Sequence, residues 1–230
     1  MKRGVLFDVG GVLAYDVWEH LLCDPPPRNS ADPVSISAKY DVPTTQLELL
    51  GRHLWKQFDK IPGDARQLEL EYWHRLLAHG QCPAKLKTVP VSDFIAMTDD
   101  FIRPVNQAET VALLQSLKDR GIPLGICSNN NEFWYEAQEA KLGLRNFFDG
   151  HITLSCHEKT TKATDEIFCT AARRLGLPPS DCIFVDDRMD NVSRAVCCEM
   201  TGVLFPTEQF ASKPQNGAQY LRRLLDSILR

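Results

Sequence analysis

The stretch Val5-Leu6-Phe7-Asp8-Val9-Gly10-Gly11-Val12-Leu13 decides how the rest of the chain is read. A short apolar run ends in one carboxylate, and two glycines follow it. Far downstream a second apolar run, Cys182-Ile183-Phe184-Val185, ends in the acidic doublet Asp186-Asp187. Carboxylates at the carboxyl ends of buried parallel strands stand where open α/β sheets bind ligands. Such a cluster repels itself unless a divalent cation or phosphate chemistry holds it together. The pairing therefore points to metal-assisted catalysis.

Working outward, five short β-rich runs predict strands at Gly4–Phe7, Ile122–Cys127, His151–Leu154, Cys182–Val185 and Gly202–Phe205. Most lack clean alternation, as expected when helices cover both faces of a sheet. Helical stripes fall between them: Val111, Leu114 and Leu117 before Gly121, then Phe168, Ala171, Ala172 and Leu175 before Gly176. Leu221, Leu224, Leu225 and Ile228 line a last helix. Strands alternating with helices predict an α/β fold built on a doubly wound parallel sheet.

From about Tyr15 to Arg103 the strand pattern stops. Leu47, Leu50, Leu54 and Phe58 form one amphipathic stripe, with Pro43-Thr44 as its start. Leu68, Tyr72, Leu76 and Leu77 form a second from near Asp64 to Gly80, and Ser92-Asp93 opens a shorter third. This predicts an inserted α-helical cap over 15–103, with 1–14 and 104–230 as the core. The Cys23-Asp24-Pro25-Pro26-Pro27 segment reads as a stiff loop within it. Trp18, Trp55, Trp73 and Trp134 read as packing residues, and His20, His53, His74 and His79 form no coherent ligand set.

A chain of 230 residues suits one large domain or a core carrying such an insert. The formal charge of −4 gives no support to a nucleic-acid footprint. Eight cysteines without a CxxC pair read as reduced thiols, with Cys127 and Cys182 as small buried hydrophobes. Met1-Lys2-Arg3 precedes a run too short for a signal peptide, and no stretch approaches the length of a membrane span. The expectation is a soluble cytoplasmic protein without a membrane partner.

Four landmarks in order resemble the haloacid dehalogenase (HAD) superfamily, in particular phosphatase-like members with a helical cap after the first motif. They are Asp8-Val9-Gly10-Gly11-Val12-Leu13, Ile126-Cys127-Ser128-Asn129-Asn130, Thr161-Lys162-Ala163, and Phe184-Val185-Asp186-Asp187-Arg188-Met189-Asp190-Asn191. The resemblance implies a HAD-like Rossmannoid core and an Mg²⁺-dependent phosphatase acting on a small phosphorylated metabolite, such as a sugar phosphate. It implies Asp8 as the nucleophile that forms an aspartyl-phosphate, splitting one hard hydrolysis into two displacements. It further implies Lys162 as a catalytic point charge, and Gly11, Ser128, Asn129 and Lys162 around the phosphoryl group. Asp8, the Gly10 carbonyl, Asp186 and Asp187 would hold the metal. Oligomeric state is left open.

Each motif also has a plain structural reading. Asp8 alone is a solvated strand-end residue, and Ser128 or an asparagine caps the helix starting near Glu132. Asp187 or Asp190 caps the next helix, Asn191 supports that loop, and Lys162 or its neighbour Lys159 is a surface cation. Two departures from the family pattern matter. The proline that commonly follows the motif-three lysine is absent. Gly10 stands where many family phosphatases carry a second aspartate that shuttles a proton, and Asp16 is a candidate substitute. Two alternatives stay open: a 2-haloacid dehalogenase, whose members need no metal, and a catalytically weak binding or regulatory protein on the same scaffold.

Overall fold

The computed structural model describes residues 3–14, 16, 21–22, 33–102, 107–207 and 214–229. Its centre is a five-stranded, fully parallel sheet of β1 (Gly4–Phe7), β2 (Leu124–Ser128), β3 (Ile152–Leu154), β4 (Cys182–Asp186) and β5 (Thr201–Leu204). Their spatial order is β3-β2-β1-β4-β5, which places β1 in the middle. All five expected strands are present. β2 starts two residues later than its apolar run because Ile122 still belongs to the preceding helix exit, donating its N–H to Leu117 O at 3.1 Å. Gly121 makes that exit possible with φ 69°. Pro123 has no N–H for the ladder, though its carbonyl accepts from Val5 N at 2.9 Å.

Side chains alternate across the sheet, and both faces are apolar because both are covered. Val5, Phe7, Ile126, Ile183 and Val185 pack with Leu113, Leu114 and Leu117 of α5 (Gln107–Asp119) and with Leu221 and Leu225 of α11 (Pro214–Ile228). Leu6, Cys127, Cys182 and Phe184 face the other way, onto α9 (Glu166–Arg174) and α10 (Met189–Cys197). This double burial erases the period-two signal in the sequence. Gly202 lets α10 lie close on β5: a Cβ there would meet Val192 Cγ1 at 2.7 Å.

Between β1 and α5 the described chain is helical: α1 (Ile36–Tyr40), α2 (Thr44–Phe58), α3 (Ala65–Ala78) and α4 (Val91–Phe101), with a short 3₁₀ turn at Ala84–Leu86. The side chain of Asp64 caps α3 by accepting from Gln67 N at 2.9 Å. The expected stripe Leu47, Leu50, Leu54 and Phe58 meets Leu68, Tyr72, Trp73, Leu76, Phe94 and Met97 in one cluster. Phe133 and Trp134 of α6 (Glu132–Leu142) join that cluster, so the helical segment rests on the sheet layer through α6. Trp55 stacks on Trp134 with ring centroids 4.6 Å apart. The expected junctions at Tyr15 and at Arg103-Pro104 lie outside the described residues, as do Trp18, His20 and the Cys23–Pro27 loop. Two short helices, α7 (Arg145–Phe148) and α8 (Ser155–Glu158), complete the connections.

The described cysteines are all free thiols, and Cys127 and Cys182 are buried. Among the described residues, no helix is long and apolar enough to cross a membrane. Trp73 is fully buried and stacked on Phe94 at 5.1 Å. Trp73→Ala removes a large side chain from a close-packed cluster and is expected to cost about 3–5 kcal/mol. At about 2–4 °C per kcal/mol for a chain of this size, thermal denaturation reads this as a fall in Tm of at least about 6 °C.

Candidate active site

Strand register brings the two acidic motifs together. Phe7 pairs with Val185 across the β1–β4 ladder, so Asp8 and Asp186 are the next residues on neighbouring strands. Asp8 N donates to Val185 O at 2.9 Å, which continues the ladder to the site. Lys162, on the segment between α8 and α9, reaches in over the sheet edge. Its Nζ lies 2.6 Å from Asp8 Oδ2 and 2.6 Å from Asp186 Oδ2. All three residues are more than nine-tenths buried. The competing cation, Lys159, is exposed at the end of α8.

The neighbouring polar groups hold this cluster in place. Asp186 Oδ1 accepts from Arg188 N at 2.8 Å and from Asn191 Nδ2 at 3.0 Å. Asn129 Oδ1 accepts from the backbone N–H of Lys162 at 2.8 Å, fixing the lysine's approach. Asn131, not Ser128, caps α6, accepting from Trp134 N at 2.9 Å. Ser128 is buried, and its hydroxyl lies against the Asp8 carboxylate, whose ionised form it favours. The N-cap of α10 is Arg188, with no side-chain capping bond, so neither Asp187 nor Asp190 serves as a cap. Asn191 supports the loop, as the sequence suggested.

Carboxylate oxygens of Asp8, Asp186 and Asp187 all lie within 4.8 Å of one another. Burial raises the pKa of Asp8, with Asp186 adding to the shift while Lys162 opposes it. Burial also raises Asp187, reinforced by Asp8, Asp186 and Asp16. For Lys162, burial alone favours the neutral amine, but Asp186 and Asp8 outweigh it and push the pKa above the ordinary range. One lysine does not balance three carboxylates. Oxygen-only donors with surplus negative charge fit a hard divalent cation such as Mg²⁺. Gly11 makes the packing possible. Its φ is 74°, and a Cβ there would sit 2.5 Å from Asp187 Cγ. The Thr207 hydroxyl donates to Gly11 O, a contact that the motif pattern did not reveal.

Gly10 has a different environment. The atoms nearest a Cβ built there belong to Asp16, with Asp16 Oδ2 at 3.9 Å, so the Asp16 carboxylate lies where a residue-10 side chain would point. The site opens into a cavity of about 990 Å³, far larger than a phosphate group. Asp8, Asp16, Asn129, Lys162 and Asp187 line it, and so do Arg52, Trp55, Lys56, Asp59 and Lys60. Arg52, Lys56 and Lys60 recur every fourth residue along α2 and its exit, so they share a face. Sequence reasoning missed them because a helix-surface cation has no motif. Asp59, buried behind them, is pushed up to about 6 by burial, partly offset by Lys60 and Lys56.

Residues 2–195 match the family model described as haloacid dehalogenase-like hydrolase. Flavin mononucleotide hydrolase 1 of Arabidopsis thaliana is 33% identical over 84 residues, covering 36% of this chain and 34% of that protein. The putative phosphatase YhcW of Bacillus subtilis is 27% identical over 97 residues, covering 42% and 44%. Glyceraldehyde 3-phosphate phosphatase of Methanopyrus kandleri is 29% identical over 82 residues, covering 36% and 35%. The matched stretch thus spans less than half the length of these relatives. Among solved structures, a HAD family enzyme from Bacteroides thetaiotaomicron in complex with magnesium and inorganic phosphate superposes with TM-score 0.62 at 16% identity, covering 89% and 94% of the two chains. L-2-haloacid dehalogenase from Xanthobacter autotrophicus superposes with TM-score 0.51 at 20% identity, covering 87% and 76%. These superpositions speak for the fold alone. With the five-stranded parallel sheet and a family match over most of its length, the chain belongs to the haloacid dehalogenase-like hydrolases.

Proposed function

We propose that the protein is a Mg²⁺-dependent phosphatase of small phosphorylated metabolites, acting through an aspartyl-phosphate. The observation that carries this reading is the Asp8–Lys162–Asp186 cluster with Asp187 beside it, at the mouth of the large cavity. Asp8, the Gly10 carbonyl, Asp186 and Asp187 would hold the metal. When bound, the ion supplies positive charge that keeps these carboxylates ionised and polarises a phosphoryl oxygen. The relatives named for flavin mononucleotide and glyceraldehyde 3-phosphate support small phosphate esters as the substrate class. Three carboxylates gathered around one lysine argue against dehalogenation, a reaction that needs no metal. The free thiols fit a reducing, cytosolic setting.

In this reading an Asp8 carboxylate oxygen attacks phosphorus, and the bond from phosphorus to the leaving oxygen breaks. Lys162, the Ser128 hydroxyl and the backbone after Asp8 offset charge on the phosphoryl oxygens. Asn129 positions Lys162 through its backbone N–H and borders the same space. Asp16 gives a proton to the departing oxygen, then takes one from the water that attacks the aspartyl-phosphate, releasing phosphate and restoring Asp8. The helical segment over 15–103 acts as the cap. Its Arg52, Lys56 and Lys60 face favours leaving groups that carry a further negative charge.

Asp8→Asn is expected to lower phosphate release from p-nitrophenyl phosphate by at least about 10³-fold. EDTA should abolish turnover and added Mg²⁺ restore it; turnover of 2-haloacids insensitive to EDTA would overturn the phosphatase reading. Asp16→Asn should cost about 10²–10⁴-fold with alkyl phosphates, whose leaving oxygens need the proton, and little with p-nitrophenyl phosphate. Because Asp16 fills the space that a residue-10 side chain would take, Gly10→Asp should restore activity in an Asp16→Ala background, where that space is vacated. An equal loss on both substrate types would remove Asp16 from the proton path.

The raised carboxylates also set a stability trend. Their folded pKa values lie above the unfolded ones near 4, so the metal-free protein loses stability as pH rises from about 4 through neutrality. Asp187→Asn removes one of the crowded charges. Calorimetry at pH 7.5 should show a metal-free Tm higher than wild type, and a smaller Mg²⁺-induced rise.

A further inference from the structure

A second group of metal-ligating side chains stands at the same edge of the sheet, outside the aspartate cluster. β2 and β3 are neighbouring parallel strands, with Ser128 paired to Leu154. The chain leaves β2 through residues 129–131 into α6, and leaves β3 directly into α8. The Ser155 hydroxyl ties these two exits together. It accepts from Asn130 N at 3.0 Å and donates to Asn130 O at 3.2 Å. Just beyond this clamp, Glu132 begins α6, and Cys156 and His157 follow Ser155 on α8.

These three side chains converge. Glu132 Oε2 lies 3.7 Å from Cys156 Sγ and 2.7 Å from His157 Nε2. One ligand atom from each lies within 4.8 Å of the others. Cys156 is fully buried, the Glu132 side chain is 14% exposed, and the His157 side chain is 41% exposed. A single carboxylate oxygen thus gathers a thiol and an imidazole from the adjoining helix, with protons in the space an ion would take.

We propose that Glu132, Cys156 and His157 form a second metal site, selective for a divalent ion of the zinc class, with one coordination position open to solvent. Thiolate and imidazole select zinc or cobalt over magnesium, which takes oxygen ligands. Tetrahedral zinc places sulfur and oxygen ligands about 3.5 Å apart, and nitrogen and oxygen about 3.3 Å apart. The sulfur already stands near that separation. The imidazole needs to withdraw by about half an ångström from the present separation to meet that geometry, and its exposed side gives it room. On binding, the thiol proton leaves to solvent, the sulfur and Nε2 lone pairs go to the ion, and the imidazole keeps its proton on Nδ1. The bound ion would cross-link α6 to α8 and brace the 129–131 loop, whose Asn129 holds the Lys162 backbone.

Cobalt(II) tests the assignment on the full chain in excess Mg²⁺. The aspartate cluster contains no sulfur, so only a cysteine-containing site gives a thiolate-to-cobalt charge-transfer band in the near ultraviolet. The expected result is a saturable band, displaced by stoichiometric Zn²⁺, together with a Zn²⁺-induced rise in Tm. Cys156→Ser should abolish both. Glu132→Gln and His157→Ala should weaken cobalt binding by at least about tenfold. These two sit at the rim, so they decide the matter if Cys156→Ser fails to fold. Absence of a band, or a band that persists unchanged in these variants, overturns the site.

Discussion

The buried Lys162 ammonium between Asp8 and Asp186 is the interaction on which the site depends. Each of these ions pays a desolvation penalty of several kcal/mol, which attraction repays only when geometry and hydrogen bonds are good. The fold supplies both. The β1–β4 register fixes the distance between the two aspartates, Asn129 fixes the lysine's backbone, and Asn191 and Arg188 N satisfy Asp186. Removing any one of these parts leaves a buried charge short of a partner. One lysine faces three carboxylates and leaves their charge in surplus. The same arrangement that stabilises the cluster therefore leaves it hungry for another cation.

Cations line the same cavity. Arg52, Lys56 and Lys60 face the opening from a helix whose other face, Leu47, Leu50, Leu54 and Phe58, belongs to a separate apolar cluster. That cluster reaches the sheet layer through Phe133 and Trp134, on the helix that directly follows Asn129–Asn131. Packing of the helical segment and placement of the phosphate-side loop are thus linked through one element.

The sheet was legible because each strand is a compact apolar run ended by a polar signal, and parallel order follows from alternation with helices. Strand ends were less so: Ile122 is apolar but spends its N–H on a helix exit. The acidic residues were legible through their places at strand ends, and Lys162 through the family resemblance. The choice of Lys162 over Lys159 was not, since three residues of backbone decide which amine turns inward. Asn129 illustrates a further limit. The resemblance set it beside the phosphate, and its side-chain oxygen accepts from the Lys162 N–H, a partner 33 positions away. Side-chain partners at such separations leave no local pattern. The cationic wall was illegible for the same reason.

The two glycines after Val9 look alike in sequence and differ in what holds them. Gly11 is required by the backbone: its φ is positive, and a Cβ would overlap the Asp187 carboxylate. Gly10 carries neither constraint, because the atoms nearest a Cβ there belong to Asp16 and stand at ordinary contact distance. A glycine that packing does not demand is explained by what fills the space in its place. Here that is a carboxylate from six residues further on. The turn that returns the chain from Gly11 to Ala14, where Gly11 N bonds Ala14 O, brings Asp16 back over the site.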